Sequence, residues 1–536
     1  MLSPSAFRRL WFAAAAMFLC LSAALSQQTD SVVTTKIYLE YADEQTYDQE
    51  LNPDRQVLTG NVCFRHDSAF MYCDSAYYYE QSSSLEAFGR VCMEQGDTLD
   101  IHGDYLFYDG HTQIARIRRN VVMRNIQSDS AVVTLFTDSL NYDRTVDIGY
   151  YFEGGVIVDV ENKLYSVYGQ YSPGTELAIF NDSVRLENPE FTLYSDTLHY
   201  MTDTKVAIIL GPSVIVSDSG TIHTSRGWYN TTENTSRLLD RSTVVSGNRF
   251  LTGDSIAWNR ETGFGEAFGN VFLQDTLNSI ILEGQYGQYG EKTEYAYVTD
   301  SARCMEYSQG DTLYIRADRF EMITLDSTVR ELKAYYGVRF YRTDIQGVCD
   351  SMHFNTNDSI LRMYTDPVLW NEVYQLTGDT IKVFMKDSTV DYVHVIQYAF
   401  AIQELDSSAY NQLKGNDLKA WMEGRAVHLI DMEGSVETIY YPVHDDGSLW
   451  EMNETKSSYL RMWMKDNQLE KLKLWPRSEG TATPLPDLLP EQKKLKGFYW
   501  YDYLRPRDKD DIYRLTKRKT EDIPPKRSNV FQRREF

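Results

Sequence analysis

Between Val57 and Met385 apolar residues alternate with polar ones, in short runs broken by Gly-Asn, Asp-Ser, Asp-Gly and Asn-Asp pairs. Period-two alternation sends successive side chains to opposite faces of a strand, and the interrupting pairs are turn formers. The region therefore predicts strand after strand and no amphipathic helix. The runs are versions of one unit, clearest in Leu58 to Tyr79, LTGNVCFRHDSAFMYCDSAYYY. Its first half is a Gly-x-Val strand opening, Gly60-Asn61-Val62. Its second half is an Asp followed by Ser or Thr and an apolar-polar-aromatic alternation, Asp74, Ser75, Ala76 and Tyr78. The aspartate returns at 104, 138, 196, 254, 318, 350 and 379, in steps of 30, 34, 58, 58, 64, 32 and 29. The period is thus about 31 residues with single copies skipped, and a fixed period of this size marks a repeat architecture.

Each half supplies an apolar ladder. The Gly-x-Val halves give Val62/Phe64, Val91/Met93, Val121/Met123, Val184/Leu186, Val214/Val216, Val271/Leu273, Val338/Phe340 and Val368/Trp370. The Asp halves give Leu106/Tyr108, Leu140/Tyr142, Leu198/Tyr200, Ile256/Trp258, Phe320/Met322 and Met352/Phe354. Residues between them, such as Asn141, His199, Glu321, His353 and Lys382, are mostly polar. Each repeat reads as two strands with one face in and one face out. The expected fold is all-β: an elongated β-jellyroll or solenoid-like stack of about 12 two-strand repeats, mostly antiparallel. The residues expected to face the interior are Val91, Leu106, Val121, Leu140, Val184, Leu198, Val214, Ile256, Val271, Phe320, Val338 and Met352. Trp258 and Trp370 are large enough to close that interior.

The ends depart from the repeat. Residues 27–35 are a polar leader, after which Ile37, Leu39 and Tyr41 alternate with Tyr38 and Glu40. This strand has no proline and one acid, so it is a poorly protected sheet edge. Ile37, Tyr38, Leu39 and Tyr41 are the expected contacts for a partner added by strand pairing. After a repeat region spanning 27–385, residues 386–475 read as an irregular segment, with Leu405 to Leu413 as a short helix, followed by a second block of strands. Residues 476–536 begin with three prolines between Thr481 and Pro490, predicting an extended linker. The aromatic patch Gly497-Phe498-Tyr499-Trp500-Tyr501 and a basic tail, disordered past about residue 520, complete the chain.

Residues 1–26 have the form of a secretory signal: Arg8 and Arg9, an apolar run from Leu10 to Leu25, and the small-residue site Ala24-Leu25-Ser26. An exported protein is expected. Cys20 opens a lipoprotein alternative, against which Met17-Phe18-Leu19 lacks the small residues that such a site needs. Removing this segment takes away two positive charges and no acid, so the net charge goes from −24 to −26. Such a chain repels nucleic acid and anionic surfaces over most of its face. The tail from Arg505 is the exception, with 11 Lys/Arg against 6 Asp/Glu. The remaining cysteines are Cys63, Cys73, Cys92, Cys304 and Cys349; an odd number without CxxC argues against a zinc site. Cys63 and Cys92 hold the same repeat position, either as a disulfide between stacked units or as buried free thiols.

No P-loop, HExxH, GxSxG or EF-hand loop is present. Gly263-Phe264-Gly265-Glu266-Ala267-Phe268-Gly269 resembles a dinucleotide fingerprint, but its third glycine is one place late and it opens a strand. The recurring aspartates read as turn formers capping their own backbone. His199 and His353 share one polar strand position, as a solvated face requires. No catalytic group, metal or cofactor is expected.

The signal segment, the Gly-Asn-Val units (Gly60-Asn61-Val62, Gly269-Asn270-Val271) and the Gly-Asp-x-apolar units (Gly103-Asp104-Tyr105-Leu106, Gly253-Asp254-Ser255-Ile256) together resemble the OstA/LptA-like family of lipopolysaccharide-transport proteins, in its long Bacteroidetes-type form. The resemblance covers roughly residues 36–475. It implies a periplasmic jellyroll that shelters lipid acyl chains on the way to the outer membrane. The implied partners are lipopolysaccharide or a related glycolipid, and other jellyroll proteins or a second copy joined edge to edge. The rival expectations are a carbohydrate-binding or carbohydrate-cleaving solenoid and a surface adhesin or spacer.

Overall fold

The computed structural model describes residues 36–519 apart from 51–52, 128–129, 219, 309, 326–328, 387–388, 425, 444–446 and 466–467. The leader with Cys20, and the tail from 520, lie outside the described residues. The described residues form β-strands, turns and short 3-10 segments, with no α-helix among them. The chain divides into two compact units, residues 1–181 and 182–536.

In the first unit, Gln56–His66, Ala69–Tyr79, Ser84–Gln95, Leu99–Asp109, Ile114–Ile126 and Val132–Asp143 pair antiparallel in chain order. Each ladder shifts register at its middle, between Thr59 and Val62, Phe88 and Val91, and Arg118 and Val121. Two consecutive residues there take the left-handed conformation: Gly60-Asn61 (φ 78 and 47), Gly89-Arg90 (71 and 42) and Arg119-Asn120 (64 and 51). Such a pair bends the strand while the residues on either side stay paired, as a bulge does. Every long strand therefore has two arms, one in each of two facing walls. The Gly-x-Val signature is thus the corner of a strand and not its opening.

The aspartates serve these corners. Asp74 accepts from Arg90 Nη2 at 2.6 Å, Asp104 from Asn120 Nδ2 at 2.8 Å and Asp43 from Asn61 Nδ2 at 3.0 Å. In the second unit Asp254 accepts from Asn270 Nδ2 at 2.8 Å, beside the corner Gly269-Asn270. Each of these aspartates holds the left-handed corner of the following strand, so for Asp74, Asp104 and Asp254 the expectation that they cap their own backbone is corrected. The arginine beside Asp74 also holds that carboxyl below its usual range.

The second unit repeats the plan in Thr235–Ser246, Arg249–Asn259, Phe264–Asp275 and Ile280–Gly290. Elsewhere the two arms are separate short strands, as in Val206–Ile209 and Ser213–Ser217. The zigzag continues through residue 386, because Thr380–Lys386 pairs with Thr389–Ile396. Leu405 to Leu413 is not a helix: Phe400–Glu404 and Tyr410–Lys414 pair as a hairpin. Asp406 makes its turn by accepting from the amides of Ser408 and Ala409 at 2.7 and 2.8 Å.

Beyond the strand Glu479–Pro484 the chain runs back as a strap over the outer face of one wall. Leu488, Leu495 and Phe498 pack on Phe400, Ile402, Ile439, Tyr441 and Met452. Tyr501 and Leu504 pack on Val368 and Trp370. Side-chain amides hold the strap in register. Gln412 donates to Lys493 O and accepts from Leu495 N, both at 2.8 Å. Gln375 donates to Tyr499 O at 2.8 Å and accepts from Tyr501 N at 2.7 Å, and Arg505 Nε donates to Gln346 at 2.8 Å. The region expected to be a linker is therefore a packed element up to Tyr513.

Gly269 tests the corner. Its φ is +69, and a Cβ built on it lies 2.5 Å from Asp254 Oδ2. Gly269→Ala should cost about 1–3 kcal/mol in denaturant titration. In an Asp254→Ala background the cost should be smaller, because the carboxylate that the methyl meets is gone. Strict additivity in that double-mutant cycle would refute the contact.

Candidate functional site

The space between the walls is the candidate site, because both ladders point into it. In the first unit Val91, Leu106, Val121 and Leu140 are 0–1% exposed. At the open end of the walls, opposite the corners, polar pairs tie one wall to the other. His66 Nδ1 lies 2.6 Å from the Tyr108 hydroxyl, which also accepts from Arg144 Nη1 at 2.8 Å. Arg144 Nε donates to Gln95 at 3.2 Å, and Asn125 donates to the Tyr171 hydroxyl at 2.9 Å. Burial raises the Tyr108 pKa and Arg144 opposes the rise. The Tyr108 hydroxyl therefore stays neutral at physiological pH.

In the second unit Val184, Leu198, Ile256, Val271, Phe320, Val338 and Met352 are buried between the walls. Val214 is not; its neighbours Ser213 and Ile215 take the inner positions. The corner before it is Leu210-Gly211-Pro212, which replaces the left-handed pair and shifts the alternation by one residue. Such a slip exchanges the faces of every following side chain. Val368 and Trp370 are also turned outward, because the left-handed pair falls at Thr365-Asp366, one residue earlier than a Gly-x-Val alignment requires. Leu369 packs inside in their place.

The open end of the second unit combines polar ties with an apolar slot. Around Phe191, Ile215, Tyr229, Leu251, Trp258 and Tyr289 lies an apolar slot of about 60 Å³. Arg249, Arg260 and Glu291 stand at its rim. Arg260 pairs with Glu190 at 3.1 Å, and Arg249 lies 3.6 Å from Asp275 and donates to the Tyr289 hydroxyl. The slot is far below the roughly 300–1,000 Å³ of small-molecule pockets. Side chains fill the interior, and a long ligand enters only if the walls part.

At the N-terminal edge Tyr38–Tyr41 pairs with Gln56–His66, with Tyr38 opposite Arg65 and Leu39 opposite Phe64. Tyr38, Leu39 and Tyr41 are exposed at 49%, 37% and 55%. Ile37 is 3% exposed and packs towards Gly110 at a hairpin turn, so it is not available to a partner. Cys63 and Cys92 both pair with Tyr72, one on each side of it, which puts them two strands apart and excludes a disulfide between them. All five described cysteines are free. Among the described residues no cluster of His, Cys, Asp or Glu has the arrangement of a metal site.

Residues 34–196 match the family model described as OstA-like protein. Among solved structures, the chain is similar to LptH, the LptA-homologous periplasmic component of the lipopolysaccharide transport device of Pseudomonas aeruginosa. That match has 13% identity and a TM-score of 0.15, covering 26% of this chain and 79% of that one. No curated protein matches.

Burial pushes the thiols of Cys73 and Cys304 up to about 12 and that of Cys92 to about 11. Cys349 is raised further by the same cause. These thiols stay protonated at pH 8, and the buried Cys73, Cys304 and Cys349 should resist a thiol-exchange reagent until denaturant is added, when all should react. Rapid reaction of Cys304 in the native protein would show that the walls open on that timescale.

Proposed function

Through its residues 34–196 the chain is OstA-like, and from that premise we propose that it is a non-enzymatic periplasmic lipid-transport protein. Its cargo in this reading is lipopolysaccharide or a related glycolipid, carried towards the outer membrane with its acyl chains sheltered between the two walls. The observation that carries the reading is the inward apolar ladder with its apolar slot at Phe191, Ile215 and Leu251. Sheltering an acyl chain is worth about 0.8 kcal/mol per methylene. That is enough to offset parting walls whose contacts at this point are mostly apolar. The repeat offers many near-equivalent positions, so a chain can step without meeting a deep trap.

A photo-crosslinker placed in cells at Leu251 or Phe320 should label acyl chains. The same group at Trp228 or Glu321, on the outer faces, should not. Equal labelling from both pairs would overturn the in-out assignment and the lipid reading with it.

The exposed edge at Tyr38, Leu39 and Tyr41 supports a second element of the proposal, pairing with a related jellyroll or another copy. A crosslinker at Tyr38 should give intermolecular adducts, and Leu39→Pro should abolish them while the remaining strands stay folded. Adducts confined to one chain would remove the joint.

A further inference from the structure

A second site, unrelated to the interior, lies where the strap crosses the outer wall. Arg339 sits on the outward face of Arg330–Tyr341, between the inward residues Val338 and Phe340. Its register partner on the neighbouring strand is Arg316. Two like charges directly opposite on one face are unfavourable, and the strap brings Arg514 against them as a third. Arg339 is only 7% exposed. Its Nη2 donates to Leu504 O at 2.9 Å, but its Nε is shielded from solvent and has no partner. Arg316 and Arg514 have carboxylates of their own, Asp318 at 2.7 Å and Asp511 at 2.8 Å. Burial and Arg514 lower the Arg339 pKa to about 10, so it stays charged at neutral pH.

Arg339 lines an open cleft of about 380 Å³ together with Arg316, Arg514, Lys517 and Arg518; Asp350 and Asp366 are the acids of the lining. We propose that the cleft binds a phosphomonoester, with Arg339 as the buried anchor and Lys517 at the rim. A buried donor left unmade is costly, and a charged acceptor makes the stronger class of hydrogen bond. Convergent guanidiniums match the oxygens of a phosphate better than a single carboxylate. The cleft has room for more than a bare phosphate, which points to a phosphate carried on a sugar or on a lipid headgroup. The inference rests on Arg339 and its surroundings and stands whether or not the interior carries lipid.

The test is calorimetric titration of the mature full chain with inorganic phosphate and with glucosamine 1-phosphate, and separately with dodecyl maltoside micelles containing phosphatidic acid. Binding is expected, weakened at least tenfold in Arg339→Gln and in Lys517→Glu. Lys517 is exposed, so its variant carries the test if the first fails to fold. Saturation by the soluble phosphates identifies a free or sugar phosphate as ligand. Binding of the micelles alone identifies a lipid headgroup. Either result supports the site. No binding of any of the three, equal binding of acetate, or affinity unchanged by both substitutions would overturn it.

Discussion

The structure depends on a strand bending in its middle without leaving its ladder. Two successive left-handed residues do this, at a cost of roughly 1–2 kcal/mol for each that carries a Cβ. Glycine at the first place of Gly60-Asn61, Gly89-Arg90 and Gly269-Asn270 removes half of that cost. The preceding aspartate offsets more by bonding the second residue, as Asp254 does with Asn270. The bend then places both arms of one strand in facing walls, so that a single alternation feeds both ladders. Because side chains alternate strictly, the corner also sets which of them face inward. Val91 and Val121, each immediately after its left-handed pair, are 1% exposed.

How the walls meet at their open end decides what the interior can do. In the first unit Tyr108, Arg144 and Tyr171 on one wall find His66, Gln95 and Asn125 on the other. Opening that end would strand several buried polar groups, each at about 1–3 kcal/mol. In the second unit the corresponding positions around Phe191 and Tyr229 are apolar, with ring centroids 4.6 Å apart. Opening there breaks the Arg249–Tyr289 and Arg260–Glu190 contacts at the rim and exposes hydrocarbon that a hydrocarbon ligand would cover again. Both ends are thus tied by polar bonds, and the second unit differs in setting its ties, Arg249 to the Tyr289 hydroxyl and Arg260 to Glu190, around an apolar slot.

The strands and the inward ladders were legible because period-two alternation needs no tertiary information. Leu106, Leu140, Leu198, Ile256 and Phe320 are all buried to 0% exposure, as their pattern requires. Val214 and Trp370 depart from the Gly-x-Val pattern for one reason: their corners are built differently, and the pattern carries no mark of a shift by one residue. The aspartate contacts had a sequence signal in the constant spacing of 16 from Asp74 to Arg90, Asp104 to Asn120 and Asp254 to Asn270. The strap had none. Gln346, Gln375 and Gln412 look like ordinary polar positions, and only the fold brings them under a segment more than 80 residues away.

The strap and the shifted corner are linked. By setting its left-handed pair at Thr365-Asp366, the chain turns Val368 and Trp370 onto the outer face of the wall. An indole left in water there would forgo roughly 4–6 kcal/mol of burial by area. Tyr501 and Leu504 supply the missing cover, and Trp370 becomes fully buried beneath them. The same crossing then continues over the next strands and seals Arg339, whose carbonyl partner is that of Leu504 itself. A one-residue change in a corner thus creates an outward apolar strip and the strip recruits the strap. The strap in turn converts a surface arginine into a buried cation, in a chain whose net charge is −24.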